Sequence, residues 1–147
     1  MSLSELDTLR RLRRHRADRA DRADRAERAL REAKRHQQAL LAQIQQAQQA
    51  LEQTRLEEIQ KTAELLEKHQ GQVLSLSQLK SWGTQERTLS AGTRREEGQL
   101  HELHGRREEQ VVQVASAQQQ VSQCLKEVEK LQELSVLLAQ EAIQEEI

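Results

Sequence analysis

The chain has 147 residues, a formal net charge of −1, 32% charged residues, no proline and a single aromatic residue, Trp82. Aromatic side chains supply much of the core of a globular domain, so this composition excludes a large compact core. The abundance of Ala, Glu, Lys, Leu, Arg and Gln is typical of long helices and coiled coils. We therefore predict an all-α protein of marginal stability. The near-zero net charge argues against nucleic-acid binding by the chain as a whole.

The first predicted helix begins at Ser2 or Ser4, because serine caps helices well. A short apolar stripe of Leu6, Leu9 and Leu12 follows. Residues 16–35 then read RADRADRADRAERALREAKR, in which acids precede arginines by four residues, the favourable order for helical ion pairs. A three-residue period does not match the 3.6-residue turn. The alanines should therefore spiral around the helix, and this segment should bury little surface.

The apolar pattern returns at Leu30. It comprises Leu30, Ala33, Leu40, Leu41, Ile44, Ala47, Leu51, Leu56, Ile59, Ala63 and Leu66. The step from Leu51 to Leu56 shifts the pattern by one residue, so its average spacing is nearer 3.6 than 3.5. That spacing predicts a nearly straight or weakly supercoiled helix.

A turn is predicted near the middle of the chain. Gly71 is suited to end a helix, and Ser75 followed by Gln78 matches a capping box that starts one, with Ser77 as a competing cap. We expect helix 1 at about 3–70, the turn at about 71–76 and helix 2 at about 77–145.

The first part of the second helix is predicted to be its weaker part. Gly83, Gly92, Gly98 and Gly105 each cost about 1 kcal/mol relative to alanine in a helix, and 90–93 is where a break would fall. From Leu100 the apolar pattern resumes with Leu100, Leu103, Val111, Val114, Val121, Leu125, Val128, Leu131, Leu134, Leu138 and Ile143.

Two long helices joined by one turn predict an antiparallel coiled-coil hairpin that forms a single unit over 1–147. The terminal charges agree, because residues 1–36 hold 12 basic and 7 acidic residues, whereas residues 126–147 hold two lysines and six glutamates. These segments attract each other if they lie side by side. The alternative is a parallel dimer of two chains.

No residue pattern indicates catalysis. His101 and His104 stand three residues apart, whereas a zincin motif places two histidines four apart on one helix face. There is no phosphate-binding glycine loop and no Ser-His-Asp arrangement, and a two-helix protein offers no enclosed pocket. We predict no enzyme, no metal and no cofactor. Cys124, at helical spacing before Val128, is predicted to be a small packed side chain.

Two candidate binding surfaces remain. The first, the basic strip, consists of Arg10, Arg11, Arg13, Arg14 and Arg16. An acidic protein is the favoured partner, and a solvated charged face without a partner is the alternative. Nucleic acid is less favoured, because the aspartates that follow neutralise much of the basic charge. The second is the turn region with Leu79 and Trp82, where tryptophan either seals the hairpin end or anchors a partner.

No targeting or membrane segment is expected. The sequence MSLSELDTLRR lacks the apolar stretch of a secretory signal, and no run approaches the roughly 20 apolar residues of a membrane span. A cytoplasmic protein is therefore predicted.

Three features together resemble the YscO/FliJ-type stalk proteins of type III secretion. They are the basic start with spaced leucines, the sequence DRAERA at 24–29, and the sequence LSQLKSW at 76–82. The glycines at 92, 98 and 105 depart from a clean helix of that family.

The resemblance implies an antiparallel two-helix stalk, peripheral to the secretion apparatus at the inner membrane. Such proteins insert into the hexameric export ATPase, promote its assembly and activity, contact the export gate, and in some cases bind translocator chaperones. Carried onto this chain, the basic strip would meet carboxylates of the ATPase ring, and the turn region would face another partner. The rival hypotheses are a structural scaffold that binds partner helices without an ATPase, and a nucleic-acid-binding helical rod.

Overall fold

The protein is a helical hairpin. The computed structural model describes residues 2–146, with side chains through Glu145. Helix α1 spans Leu3–His69 and helix α2 spans Leu76–Glu146. No strand occurs within that described range. The two helices pack against each other, which confirms the all-α hairpin, and the turn at 70–75 lies within a residue of its predicted position.

Local sequence signals account for the helix ends. At the start of α1 the backbone N–H of Glu5 donates to Ser2 Oγ (3.2 Å) and that of Ser2 donates to Glu5 Oε2 (3.1 Å). Ser75 and Gln78 form the same reciprocal pair at the start of α2, at 3.2 and 2.9 Å. Both are capping boxes. Gly71 follows the end of α1 with φ of 74°, a conformation that favours glycine.

Helix α2 runs without interruption through 90–93, the site at which a break would have fallen. Thr93 explains much of the continuity. Its side chain is 7% exposed, and its hydroxyl donates to the carboxylate of Glu58 on α1. Contacts with α1 therefore offset the low helix propensity of the neighbouring glycines, as tertiary packing commonly does.

Most buried and half-buried side chains occur at alternating three- and four-residue intervals along both helices, which we call the seam. On α1 the seam runs through Leu9, Leu12, Arg19, Ala23, Ala26, Leu30, Ala33, Gln37, Leu40, Ile44, Ala47, Leu51, Thr54, Glu58, Leu65 and His69. On α2 it runs through Trp82, Leu89, Thr93, Glu96, Leu100, Leu103, Gln110, Val114, Ala117, Val121, Cys124, Val128, Leu131, Ser135, Leu138 and Ala142. These positions fit a seven-residue repeat, the pattern of a left-handed coiled coil.

The predicted spacing near 3.6 is therefore wrong for α1. The seam does not shift after Leu51 but continues through Thr54 and Glu58, while Leu56 and Ile59 point away from it and are exposed. The prediction followed apolar residues only, and here the seam is polar. On α2, Val111, Leu125, Leu134 and Ile143 are likewise exposed, because the seven-residue repeat assigns the seam to their smaller or more polar neighbours.

Contacts between the helices fall into two units, 1–36 with 110–147 and 37–109. In the first unit, small residues form the core. Ala23, Ala26, Val121 and Cys124 are buried together, with Leu30 and Val128 packed against them. The alanine repeat thus crosses the seam at Ala23 and Ala26, whereas Ala17, Ala20 and Ala29 are exposed. Cys124, at 5% exposure, is a packed side chain, as predicted.

The second unit has an apolar part and a polar part. Ile44 and Leu51 are its buried apolar side chains on α1. Farther along, the Thr54 hydroxyl donates to Glu96 Oε1 (2.9 Å), beside the Thr93–Glu58 hydrogen bond. We call these four residues the polar layer. Arg55 and Glu97 form an ion pair (3.1 Å) next to it.

Candidate partner-binding surfaces

The basic strip lies where the two ends of the hairpin meet. Leu9 of α1 and Leu138 and Ala142 of α2 line one shallow groove, so the N-terminal and C-terminal segments lie side by side, as predicted. A cross-helix ion pair joins them, with Arg19 Nη1 2.9 Å from Glu127 Oε2. Within the described residues, this ion pair is a direct contact between the oppositely charged segments that were predicted to attract each other.

All five arginines of the basic strip are exposed. Their orientation follows in part from the seam: because Leu9 and Leu12 face α2, Arg10, Arg11 and Arg14 point away from it. Arg16 stands at a seam-type position but is also exposed. Arg11 pairs with Asp7 at 3.1 Å, and no other arginine of the basic strip forms an ion pair within 4 Å in the described part of the chain.

The arginines after the basic strip were predicted to form four helical ion pairs with acids four residues earlier. Of these, Asp24–Arg28 is formed at 2.9 Å. The pairs from Asp18, Asp21 and Glu27 are not within 4 Å in this structure. Exposed pairs of this kind contribute only about 0.3–0.5 kcal/mol each, so their absence does not weaken the helix much.

The turn region brings Trp82 against α1. Its indole stacks on the ring of His69, with ring centroids 4.9 Å apart and an interplanar angle of 29°, and Nε1–H donates to Glu86 Oε1 at 2.8 Å. Trp82 is half-buried, so much of its surface closes the end of the hairpin. This contact agrees with the sealing role.

Leu79, by contrast, is exposed. It occupies the next seam-type position toward the turn, three residues before Trp82. Because α1 ends at His69, no helical turn of α1 remains opposite Leu79 to cover it. The two predicted turn residues therefore differ: Trp82 packs within the hairpin, and Leu79 is free for contact.

Sequence reasoning missed a third surface, the outer stripe, which consists of Leu56, Ile59, Ala63 and Leu66. The three large side chains are 63%, 68% and 56% exposed. At about 100° per residue, the outer stripe points roughly 150° away from the seam of α1. The sequence signal that would have revealed the outer stripe is the seven-residue repeat. Extended from Leu30 through Leu51 to Glu58, that repeat leaves Leu56 and Ile59 off the seam.

No group of three or more His, Cys, Asp or Glu side chains within the described residues is placed to hold a metal ion. Glu102, between His101 and His104, forms an ion pair with Arg106 at 2.8 Å. No described helix combines the length and apolar character needed to cross a bilayer.

Comparisons with known proteins do not identify a relative. No protein-family model, no curated protein and no solved structure matches the chain.

Proposed function

We propose that this chain is a non-enzymatic stalk or adaptor that docks on an acidic surface of a larger protein through the end that carries the basic strip. The observation that supports it most is the exposure of all five arginines on a well-formed helix, with only Arg11 in an ion pair. Exposed guanidinium groups held by a helix suit carboxylate recognition, because each presents a planar fork of donors.

The proposed partner is the hexameric ATPase of a bacterial type III export apparatus. This assignment comes from the resemblance to YscO/FliJ-type stalk proteins, and the helical hairpin is the architecture that such a role requires. The arginines would steer the hairpin toward ring carboxylates and promote ATPase assembly and activity. The protein would act in the cytoplasm, beside the secretion apparatus at the inner membrane.

The turn region would serve a second partner of the same apparatus. Leu79 is exposed beyond the end of α1, and the Trp82 ring is partly accessible beside it. An export gate protein or a translocator chaperone is the proposed partner there. The chain would then link two components mechanically, without a reaction of its own.

The test is addition of the full chain to the purified export ATPase at low salt, with hydrolysis and co-elution as readouts. We expect hydrolysis to rise and the two proteins to elute together. A variant with Arg10, Arg11, Arg13 and Arg14 replaced by glutamate should lose both effects, since like charges then face each other.

A matched control places the same four replacements at other exposed arginines of α1, namely Arg22, Arg25, Arg31 and Arg35. This control should retain stimulation if the basic strip itself docks. Absence of stimulation and co-elution with the unchanged chain would refute the proposal. An equal loss of stimulation and co-elution in both variants would show that docking depends on total charge and not on the basic strip.

The second candidate is a structural scaffold that binds partner helices without an ATPase. The exposed outer stripe favours it, because apolar rows at 3-4-3 spacing are how helices bind one another. The mass in solution at micromolar concentration separates the candidates. A monomer agrees with the stalk, whereas a stable oligomer that forms without any ATPase supports the scaffold.

A further inference from the structure

We infer that the outer stripe is a docking site for an amphipathic helix of another protein, and that this helix carries lysine or arginine along its apolar face. The inference concerns a surface distinct from the basic strip and does not depend on an ATPase. It rests on three observations, taken in turn: the exposure of the stripe, its short length and its acidic border.

The exposure of the outer stripe contrasts with the leucines of α2 in the same unit. Leu56, Ile59 and Leu66 are each more than half exposed, yet Leu89, Leu100 and Leu103, the leucines of α2 at 80–109, are all half-buried in the seam. The spacing of three, four and three residues places the outer stripe on one face of α1. That is the arrangement by which a helix presents apolar side chains to a single neighbouring helix.

The length of the outer stripe argues against a second copy of this chain. Its eleven residues, 56–66, extend over about 15 Å of helix. Three large side chains over that length cannot supply the roughly 800 Å² per partner that a stable interface buries. A partner helix that adds ion pairs to the apolar contact gains further binding energy at a site of this size.

Carboxylates border the outer stripe. Glu52 lies on the same line one turn before Leu56, and Glu67 lies along one side, at about 60° from its centre. Both are exposed and neither forms an ion pair within 4 Å in the described structure. They are therefore free to pair with a partner's cations.

The opposite side of the outer stripe carries Arg55, whose guanidinium already pairs with Glu97 of α2 at 3.1 Å. An antiparallel second copy would set the glutamate border against an identical border, at a cost in repulsion. A helix with lysines or arginines flanking its leucines would instead meet these glutamates with opposite charge.

The probe for the test is a synthetic helical peptide of about three heptads, with leucine at the first and fourth heptad positions and lysine at the flanking positions. A matched peptide has glutamate in place of lysine. Binding of each fluorescent peptide to the full chain is followed by anisotropy at about 150 mM salt, where charges beyond roughly 8 Å are screened. We expect the lysine peptide to bind at least about tenfold more tightly.

Two variants locate the site. Replacing Leu56, Ile59 and Leu66 by glutamine should weaken binding of the lysine peptide at least about tenfold, as loss of apolar anchors does. The control Leu41→Gln changes an exposed leucine of the same helix, about 22 Å from Leu56, and should bind as the unchanged chain. All these side chains are exposed, so circular dichroism should show an intact fold.

A charge-reversal variant tests the border directly. With Glu52 and Glu67 replaced by lysine, preference should switch to the glutamate peptide. Equal binding of both peptides to the unchanged chain would overturn the inference, as would undiminished binding by the glutamine variant. A chain dimer that forms in sedimentation and disappears in the glutamine variant, without peptide binding, would assign the outer stripe to a second copy instead.

Discussion

Replacing Gly92, Gly98 and Gly105 of α2 by alanine should stabilise the protein. All three lie within the continuous helix Leu76–Glu146, and a Cβ atom built at each meets no heavy atom within 4 Å. Alanine therefore fits without any rearrangement. It also lowers the entropy that the chain loses when the helix forms, and it shields the backbone from water.

The magnitude follows from helix propensity. Each replacement should add about 0.8–1 kcal/mol to the free energy of unfolding. The sites are six or seven residues apart, about 9–10 Å along the helix, so their effects should be nearly additive. The triple variant should gain about 2.5–3 kcal/mol, or roughly 5–12 °C in the unfolding midpoint for a chain of this length.

Gly71 supplies a control of opposite sign. A Cβ at this residue also meets nothing within 4 Å, but φ is 74°, so Gly71→Ala should cost about 1–2 kcal/mol through backbone strain alone. Urea unfolding followed by circular dichroism at 222 nm measures both variants. A triple variant no more stable than the unchanged chain, or a Gly71→Ala variant that gains stability, would refute the continuous helix and the glycine turn.

Three further substitutions test the remaining contacts by the same unfolding measurement. Ser75→Ala should cost about 0.5–2 kcal/mol by removing the helix cap, whereas Ser77→Ala should change little, because Ser75 and not Ser77 forms the capping box. Cys124→Leu should cost about 1–3 kcal/mol through overpacking, and more than Cys124→Ala. Thr93→Val should lower the free energy of unfolding by about 1–3 kcal/mol, because it leaves the Glu58 carboxylate without its donor. A double variant that also carries Glu58→Leu should recover much of this loss. If the effects of the two substitutions were fully additive, that result would count against the hydrogen bond.

The hairpin and its ends could be predicted because their signals are local. The Ser75–Gln78 capping box and the glycine at the turn each act within a few residues, and both are found where expected. The absence of proline also acts locally, since proline breaks a helix interior. The opposite charges of the two termini then indicated that the chain folds back. These signals do not depend on which face of a helix is buried.

The buried face after Leu51 could not be predicted from apolar residues alone. A continuous helix cannot rotate its contact face by about 150° within one turn, so the seam keeps its seven-residue repeat even where it meets Thr54 and Glu58. The Thr54 hydroxyl donates to Glu96, and the Glu58 carboxylate accepts from Thr93, so both side chains have a hydrogen-bond partner on α2. That compensation depends on residues about 35–42 positions away, and a reading along one helix does not include them.

The same geometry weakens helix pairing where the outer stripe is exposed. Around the polar layer, α1 turns Thr54 and Glu58 toward α2 and Leu56 and Ile59 toward solvent, the reverse of an ordinary amphipathic helix. Hydrogen bonds of this kind contribute only about 0.5–1.5 kcal/mol each, whereas burial of a leucine contributes about 1.5–3 kcal/mol. More apolar burial is thus available on the outer face than in the seam at this level. A partner helix that covers the outer stripe would stabilise this part of the hairpin, because any ligand that binds the folded state alone does so.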